Sequence, residues 1–327
     1  MKGMTMLKLI AAAAIAALAA LPAAAQVKWD LPTGYPPTNP HTENIQLFAD
    51  DVRKATGGKL DIKIHPGASL FKVPEIKKAV LTQQAQAGEL LMSNLENEDP
   101  IFGVDVVPFL ATSFDDAVKL WKAAKAATEK KMADQGLKIL YVVPWPPQGL
   151  YAKKDVNAID DMKGLKFRAY NAATSRFAEL VGAQPVTIQA AEVPQAAATG
   201  VMNSFFSSGS TGYDSRIWES LTHFYDLQAW LPKNMVFVNQ KSLEALPKDV
   251  QDAVIKAAAE AEVRGLKMMK DKTDWYTGEL AAKGMKVLKP TPALVGGFKK
   301  IGEELTSDWL KRSGAEGKVV VDAYRKM

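Results

Sequence analysis

The side chains best suited to chemistry in this 327-residue chain are an arginine and a cluster of hydroxyl groups. Arg168 lies in an apolar segment typical of a β-strand, where alternation places it on the face opposite Phe167. Because an unpaired buried charge is costly, Arg168 predicts either an internal salt bridge or a bidentate grip on a ligand carboxylate. The residues alone favour neither alternative.

The hydroxyl cluster begins with Ser207 and Ser208 and continues to Gly212. Serine and threonine at this density predict the N-cap of a helix, because their oxygens accept hydrogen bonds from backbone N–H groups there. The same end of a helix also suits an anion or a ligand hydroxyl. Composition alone favours the cap.

Other catalytic residues are sparse. His41, His65 and His223 are the only histidines, and none has a partner at the i, i+4 spacing of a metalloprotease helix. The sequence has no cysteine, which excludes disulfides, thiolate catalysis and cysteine-based metal sites. It also lacks the glycine-rich nucleotide motifs and the G-x-S-x-G elbow. We therefore predict no catalytic residue, no cofactor and no metal site.

The composition is that of a globular protein, with 47% hydrophobic and 24% charged residues. The 41 basic and 36 acidic residues are interspersed and give a net charge of +5, which argues against a nucleic-acid partner. Residues 1–25 predict a cleavable secretory signal peptide, with Lys2 and Lys8 before an apolar run and Ala23–Ala25 at its end. The apolar run is shorter than the roughly 20 residues that span a bilayer. The sequence therefore predicts a periplasmic protein, remote from ATP and reduced nicotinamide.

The elements that must position these side chains alternate between strands and helices. Lys59–His65 alternates like a half-buried strand, and Asp249–Lys283 predicts one long helix. The proline-rich stretch Pro144–Pro147 separates two such blocks. The pattern predicts an α/β fold with largely parallel sheets in two lobes.

One segment carries a recognisable signature. Asp161–Arg168 resembles the D-L-K-G-L-K-[IF]-R sequence of DctP-like solute-binding proteins of TRAP (tripartite ATP-independent periplasmic) transporters. Other matching segments occur in the family's order and cover nearly all of the chain after residue 25. They are Phe48-Ala49, Gly58–Ile64, Pro66-Gly67, Val107–Leu110, Asn171–Thr174, Val181–Pro185, Glu192-Val193 and Ala198–Val201.

This resemblance implies a two-lobed periplasmic binding protein without catalytic activity, in which the lobes exchange strands and a long helix spans both. It implies a lobe I of residues 26–145 plus about 234–272, and a lobe II of residues 146–233 plus about 273–327. The implied partners are a small carboxylate ligand and the membrane subunits of a TRAP permease. In the family, the arginine that matches Arg168 holds the ligand carboxylate, which favours the ligand-binding alternative.

The departures from the family pattern restrict the classes of ligand that the sequence predicts. Ser207 stands where many members have a pocket asparagine, and Ala190 replaces an aromatic residue. The region of the second arginine of sugar-acid binders contains Gln148 instead. No acidic residue lies between Glu192 and Asp214, which argues against a metal bridge to the ligand. These differences predict a ligand that is neither polyanionic nor heavily hydroxylated.

Aromatic and amide side chains near predicted strand ends complete the expected site, since open α/β sheets bind ligands there. Any one of the aromatic rings alone is better explained by lobe packing, but together they suggest a monocarboxylate with an apolar or aromatic body. The remaining candidates are Tyr35, Asn94, Trp145, Gln148, Tyr170 and Trp230. Two other functions stay open: a sensory protein that presents its ligand to a membrane receptor, and an exported hydrolase or isomerase on the same architecture.

Overall fold

The computed structural model describes residues 26–327, so the predicted signal peptide lies outside the described residues. The strands are β1 Val27–Pro32, β2 Leu60–His65, β3 Ala87–Leu91, β4 Leu137–Pro144, β5 Gly149–Ala152, β6 Lys166–Ala169, β7 Gln184–Thr187, β8 Ser204–Ser207, β9 His223–Tyr225, β10 Lys233–Asn239 and β11 Lys286–Leu288. The α-helices are α1 Pro40–Ala55, α2 Val73–Leu81, α3 Phe114–Ala133, α4 Ala172–Leu180, α5 Val193–Ala198, α6 Gly209–Asp214, α7 Gln240–Glu244, α8 Lys248–Ala282 and α9 Pro292–Arg325.

The strands form two groups, which we call the first and the second lobe. The first lobe contains the parallel pair β1-β2 and the sheet β3-β10-β4, and the second lobe contains the six-stranded sheet β11-β9-β5-β8-β6-β7. The chain passes from the first lobe to the second between β4 and β5 and returns between β9 and β10. A strand late in the sequence thus completes the first lobe, as the resemblance implies.

The expectation of largely parallel sheets is wrong. Four of the eight strand pairings described for residues 26–327 are antiparallel. All four involve β5 or β10, the strands that follow directly after the chain changes lobe. Strand direction depends on these crossings, which short apolar runs in a sequence do not reveal.

The long helix α8 packs against both lobes. Val254 and Ala258 in its first half lie in the core formed with β1, α1 and β4, whereas Leu280 near its end lies in the core of the second lobe. Its close approach to β4 requires Gly265, where an added Cβ would lie 2.5 Å from a methyl group of Val143. The predicted helix over Asp249–Lys283 is confirmed within one residue at each end.

The last helix, α9, also contacts both lobes. Phe298 packs in the second lobe, and Trp309 packs with the segments that follow β3 in the first. Gly314, at φ 59°, interrupts the helix between Ser313 and the last turns, where the sequence predicts two separate helices. The exact lobe boundaries stay a prediction. Among the helices described for residues 26–327, none combines the length and apolarity needed to cross a bilayer.

Candidate ligand-binding site

A cavity with an empty volume of about 490 Å³, open in part to solvent, lies between the two lobes. Most of the lining residues stand at or just beyond the carboxyl ends of strands, the position where open α/β sheets bind ligands. The thirteen lining residues are Tyr35, Val73, Leu91, Asn94, Trp145, Gln148, Arg168, Tyr170, Gln189, Ala190, Ser207, Thr211 and Pro232.

Arg168 is the charged residue in the cavity wall. Strand alternation points the fully buried Phe167 into the core of the second lobe and leaves Arg168 facing the cavity, only 4% exposed. The Nε of Arg168 donates to the Ile188 carbonyl oxygen at 2.9 Å, which fixes the side chain against the end of β7. Within residues 26–327 no carboxylate forms an ion pair with the guanidinium, so the internal salt-bridge alternative finds no partner there.

The Arg168 guanidinium remains charged in spite of its burial. Desolvation lowers the pKa of Arg168 to about 10, and the nearby Tyr170, Tyr35 and Glu192 partly oppose this effect. The ring of Tyr170 lies under the guanidinium, 4.9 Å from its central carbon, in a cation–π arrangement. The cavity therefore presents a fixed positive charge whose terminal nitrogens have no hydrogen-bond acceptor among the described residues.

A second group of polar side chains supports the first-lobe wall. The Trp145 indole N–H donates to Oδ1 of Asn234 at 2.8 Å, and Nδ2 of Asn234 donates to a Glu89 carboxyl oxygen at 2.8 Å. The Tyr35 hydroxyl lies 3.4 Å from the same Asn234 oxygen. Thr33 donates its hydroxyl proton to the other oxygen of Glu89. Burial raises the pKa of Glu89 to about 7, so this carboxyl titrates near neutral pH.

Seven of the nine residues predicted for the site line the cavity: Tyr35, Asn94, Trp145, Gln148, Arg168, Tyr170 and Ser207. Their contact with a ligand stays a prediction. The side chain of Gln148 is fixed by a hydrogen bond that its Nε2 donates to the Pro146 carbonyl oxygen. Its backbone forms hydrogen bonds with Ala229 and Trp230. The Ser207 hydroxyl has no hydrogen-bond partner among the described residues.

The other two predicted residues, Ser208 and Trp230, lie behind the cavity wall. Ser208 is fully buried and caps α6, where its Oγ accepts from the Thr211 backbone N–H at 3.3 Å. The Trp230 indole N–H donates to the Tyr170 hydroxyl at 3.1 Å, so Trp230 orients a lining residue instead of lining the cavity. The cap predicted for the hydroxyl cluster is thus at Ser208, one residue after the serine that faces the cavity.

Several lining residues escaped the sequence analysis. Two of them, Gln189 and Thr211, could have been identified from the sequence, since Gln189 precedes the atypical Ala190 and Thr211 belongs to the hydroxyl cluster. Val73, Leu91 and Pro232 are ordinary apolar residues whose role follows only from the fold. Among the described residues, no three His, Asp or Glu side chains are grouped so that they could hold a metal ion.

Comparison with known proteins identifies the architecture. The family model of the bacterial extracellular solute-binding proteins, family 7, matches residues 33–312. The Bordetella pertussis receptor DctP6, described as binding pyroglutamic acid, is 52% identical, with a TM-score of 0.91 over 92% of this chain and 100% of its own. A marine-metagenome TRAP solute-binding protein with co-purified pyroglutamate is 49% identical, with a TM-score of 0.91 over 92% and 99% of the two chains.

A more distant relative is the C4-dicarboxylate-binding periplasmic protein DctP of Rhodobacter capsulatus, which is 25% identical over 242 residues, 69% of this chain and 68% of that protein. The resemblance to TRAP solute-binding proteins seen in the sequence is thereby confirmed. The two-lobed α/β architecture is confirmed as well, since the solved relatives share it along nearly their full length. This chain belongs to the bacterial extracellular solute-binding protein family 7.

Proposed function

We propose that this solute-binding protein captures pyroglutamate, or a closely similar cyclic monocarboxylate, outside the cytoplasm and delivers it to a TRAP membrane permease. The observation that carries the proposal is the Arg168 guanidinium, which is buried, charged and without an anionic partner among the described residues. A bound carboxylate would supply that partner through two parallel hydrogen bonds. The relatives at 52% and 49% identity are both described with pyroglutamate, an acid of this class.

The cavity wall favours one carboxylate over two. Among the thirteen lining residues Arg168 alone carries a charge, so a second carboxylate would be desolvated without compensation. Leu91, Trp145 and Tyr170 form an apolar cluster on which the methylene groups of a small ring can pack. The amide and hydroxyl groups of Asn94, Gln148 and Ser207 can pair with the polar atoms of a lactam.

We further propose that the protein binds its ligand without transforming it. The only hydroxyl groups of serine or threonine in the lining belong to Ser207 and Thr211, and no histidine or carboxylate lines the cavity beside them to act as a base. The family and its solved relatives are binding proteins. An exported location would place the ligand-loaded protein next to the permease.

Thermal unfolding of residues 26–327 tests the ligand class. The panel contains pyroglutamate, proline, succinate, a sugar acid and a neutral sugar. A ligand at 100 times its dissociation constant stabilises the folded state by about 2.7 kcal/mol, which is readily visible. We expect stabilisation by monocarboxylates, largest for pyroglutamate. Stabilisation by the neutral sugar alone would show that Arg168 serves the fold and that the proposal is wrong.

Uptake measurements in the source organism test the delivery step. Deletion of the partner permease genes should abolish pyroglutamate uptake while leaving the purified binding protein fully competent for its ligand. If uptake continues and a transcriptional response to the ligand is lost, the protein serves a sensory receptor instead.

A further inference from the structure

The polar group behind the first-lobe wall fixes which atoms can donate and which can accept. An indole N–H is a donor only, so the Asn234 atom that lies 2.8 Å from the Trp145 nitrogen must be the amide oxygen. The amide nitrogen then faces Glu89, where a carboxyl oxygen accepts from it at 2.8 Å. Asn234 is 2% exposed and Glu89 is 1% exposed, so water does not provide alternative partners.

This arrangement also directs the proton of the Tyr35 hydroxyl towards Asn234, through a long contact. Tyr35 lies 3.4 Å from the Asn234 oxygen, which is an acceptor, so the tyrosine supplies the proton. A phenolic oxygen that donates its only proton keeps its lone pairs for accepting. No described N–H or O–H group donates to the Tyr35 oxygen. Tyr35 lines the cavity, and its lone pairs are therefore available to a ligand.

Tyr35 and Arg168 line the same cavity, so one small ligand can meet both residues. Burial and the nearby Glu89 raise the pKa of Tyr35, whereas the hydrogen bond to Asn234 and the charge of Arg168 lower it, so the hydroxyl stays protonated at neutral pH. The rings of Tyr35 and Trp145 are in edge contact, with centroids 4.8 Å apart, which holds the tyrosine at the wall. The cavity thus combines a cation for a carboxylate with a neutral acceptor beside it.

We propose that Tyr35, oriented by Asn234 and Glu89, is a specificity-determining acceptor that selects carboxylates bearing an N–H group on the atom next to the carboxylate-bearing carbon. The inference rests on the proposed function, because it needs the carboxylate at Arg168. Pyroglutamate has this pattern, since its lactam N–H is bonded to the carbon that carries the carboxylate. The corresponding lactone acid, 5-oxotetrahydrofuran-2-carboxylate, has the same ring size and carboxylate but an oxygen in place of the N–H.

The test measures the affinity of both acids for the wild type and for Tyr35→Phe by titration calorimetry. The wild type should prefer the lactam acid, because the lactone oxygen would face the lone pairs of Tyr35. In Tyr35→Phe the lactam acid should bind roughly 3- to 10-fold more weakly, the effect of one hydrogen bond, and the lactone acid within about twofold of the wild type. Equal weakening of both acids would overturn the proposal, because it would mean that Tyr35 contributes packing alone.

A second variant tests the orienting role of Asn234. Asn234→Ala removes the acceptor of the Tyr35 proton, so the hydroxyl can turn its proton towards the ligand and the preference for lactam over lactone should shrink or reverse. The matched control is Asn239→Ala on the same strand, whose amide nitrogen bonds the Val80 carbonyl away from the cavity. An unchanged preference in folded Asn234→Ala would overturn the orienting role. If the wild type binds neither acid, the proposed function fails, and this inference fails with it.

Discussion

The central carbon of the Arg168 guanidinium lies 4.9 Å from the centre of the Tyr170 ring, and both groups line the cavity between the lobes. A cation over an aromatic face gains about 0.5–2 kcal/mol, more as water is excluded. This contact, with the hydrogen bond from Arg168 to Ile188, holds the charge in place while its terminal nitrogens stay free of protein acceptors among residues 26–327. The site is thus already arranged for an anion.

Removal of the guanidinium should abolish most ligand affinity with little effect on folding. Arg168→Ala should weaken pyroglutamate binding by about 2–5 kcal/mol, the usual effect of truncating one partner of a buried charge pair. The free energy of unfolding should change little, because the lost hydrogen bond to Ile188 and the lost contact with Tyr170 are offset by relief of the desolvation of a buried charge. Calorimetry and urea unfolding measure the two quantities.

The control for this variant is Arg176→Ala, which removes the same charge from an exposed position on α4 where Arg176 pairs with Glu179. We expect its affinity to match the wild type. If Arg168→Ala unfolds the protein and any folded fraction binds normally, Arg168 serves the fold, and the carboxylate grip is wrong.

The contact between Trp230 and Tyr170 should contribute to stability. Tyr170→Phe leaves the buried Trp230 N–H, in a side chain 2% exposed, without its acceptor, which should cost about 1–3 kcal/mol of unfolding free energy. In Trp230→Phe that donor is already absent, so adding Tyr170→Phe should cost less than it does in the wild type. Urea unfolding of the two single variants and the double variant measures this coupling. Additive effects would mean that the hydrogen bond contributes nothing.

Two adjacent serines should separate binding from folding. Ser207→Ala removes a hydroxyl that lines the cavity and should weaken ligand binding by about 0.5–1.5 kcal/mol at unchanged stability. Ser208→Ala removes the cap of α6 and should lower the unfolding free energy by about 0.5–2 kcal/mol. Each of these two serine variants serves as the control for the other. Loss of affinity in Ser208→Ala alone would show that the wrong serine has been placed at the ligand.

Glu89 should make stability depend on pH in an unusual direction. Its pKa is about 7 in the folded protein, above the ordinary 4.5, so the folded state holds the proton more tightly than the unfolded chain. The contribution of Glu89 to stability therefore falls as the pH rises from about 4.5 to 7, by at most about 1.4 kcal/mol per pH unit.

Glu89→Gln cannot titrate and should lose this contribution. Asp105 and Asp214, with pKa values raised to about 6, and His41, whose pKa burial lowers to about 3 and whose slope has the opposite sign, remain in both proteins. The measurement is urea unfolding of both proteins at pH 5, 6 and 7. Parallel stability profiles would contradict a raised pKa at Glu89.

The sequence was most informative where local patterns determine structure. The length of α8 follows from its helical periodicity, and the placement of Arg168 follows from strand alternation with Phe167. The family signature around Arg168 led to the correct architecture, which composition and periodicity had left as a general two-lobed α/β fold. Most of the cavity was also foreseeable, because its residues stand where strands end.

The remaining features depend on contacts between distant segments. Strands β5, β9 and β11 have only three or four residues, too few for a periodic pattern, and gain their order from pairing in the second-lobe sheet. The group of Glu89 and Asn234 joins residues 145 positions apart. Neither residue belongs to a motif in the sequence, so the effect of the pair on Tyr35 and Trp145 could be recognised only in the folded chain.

The most direct test of the account compares pyroglutamate with its carboxamide, 5-oxoprolinamide, by titration calorimetry of residues 26–327. The two molecules share the lactam ring and differ only in the charge at the group assigned to Arg168. We predict that pyroglutamate binds and that the amide binds at least about 30-fold more weakly, the lower limit of 2 kcal/mol for an unpaired buried charge. Equal affinities for the acid and the amide would contradict the account, because no carboxylate would then be held by Arg168.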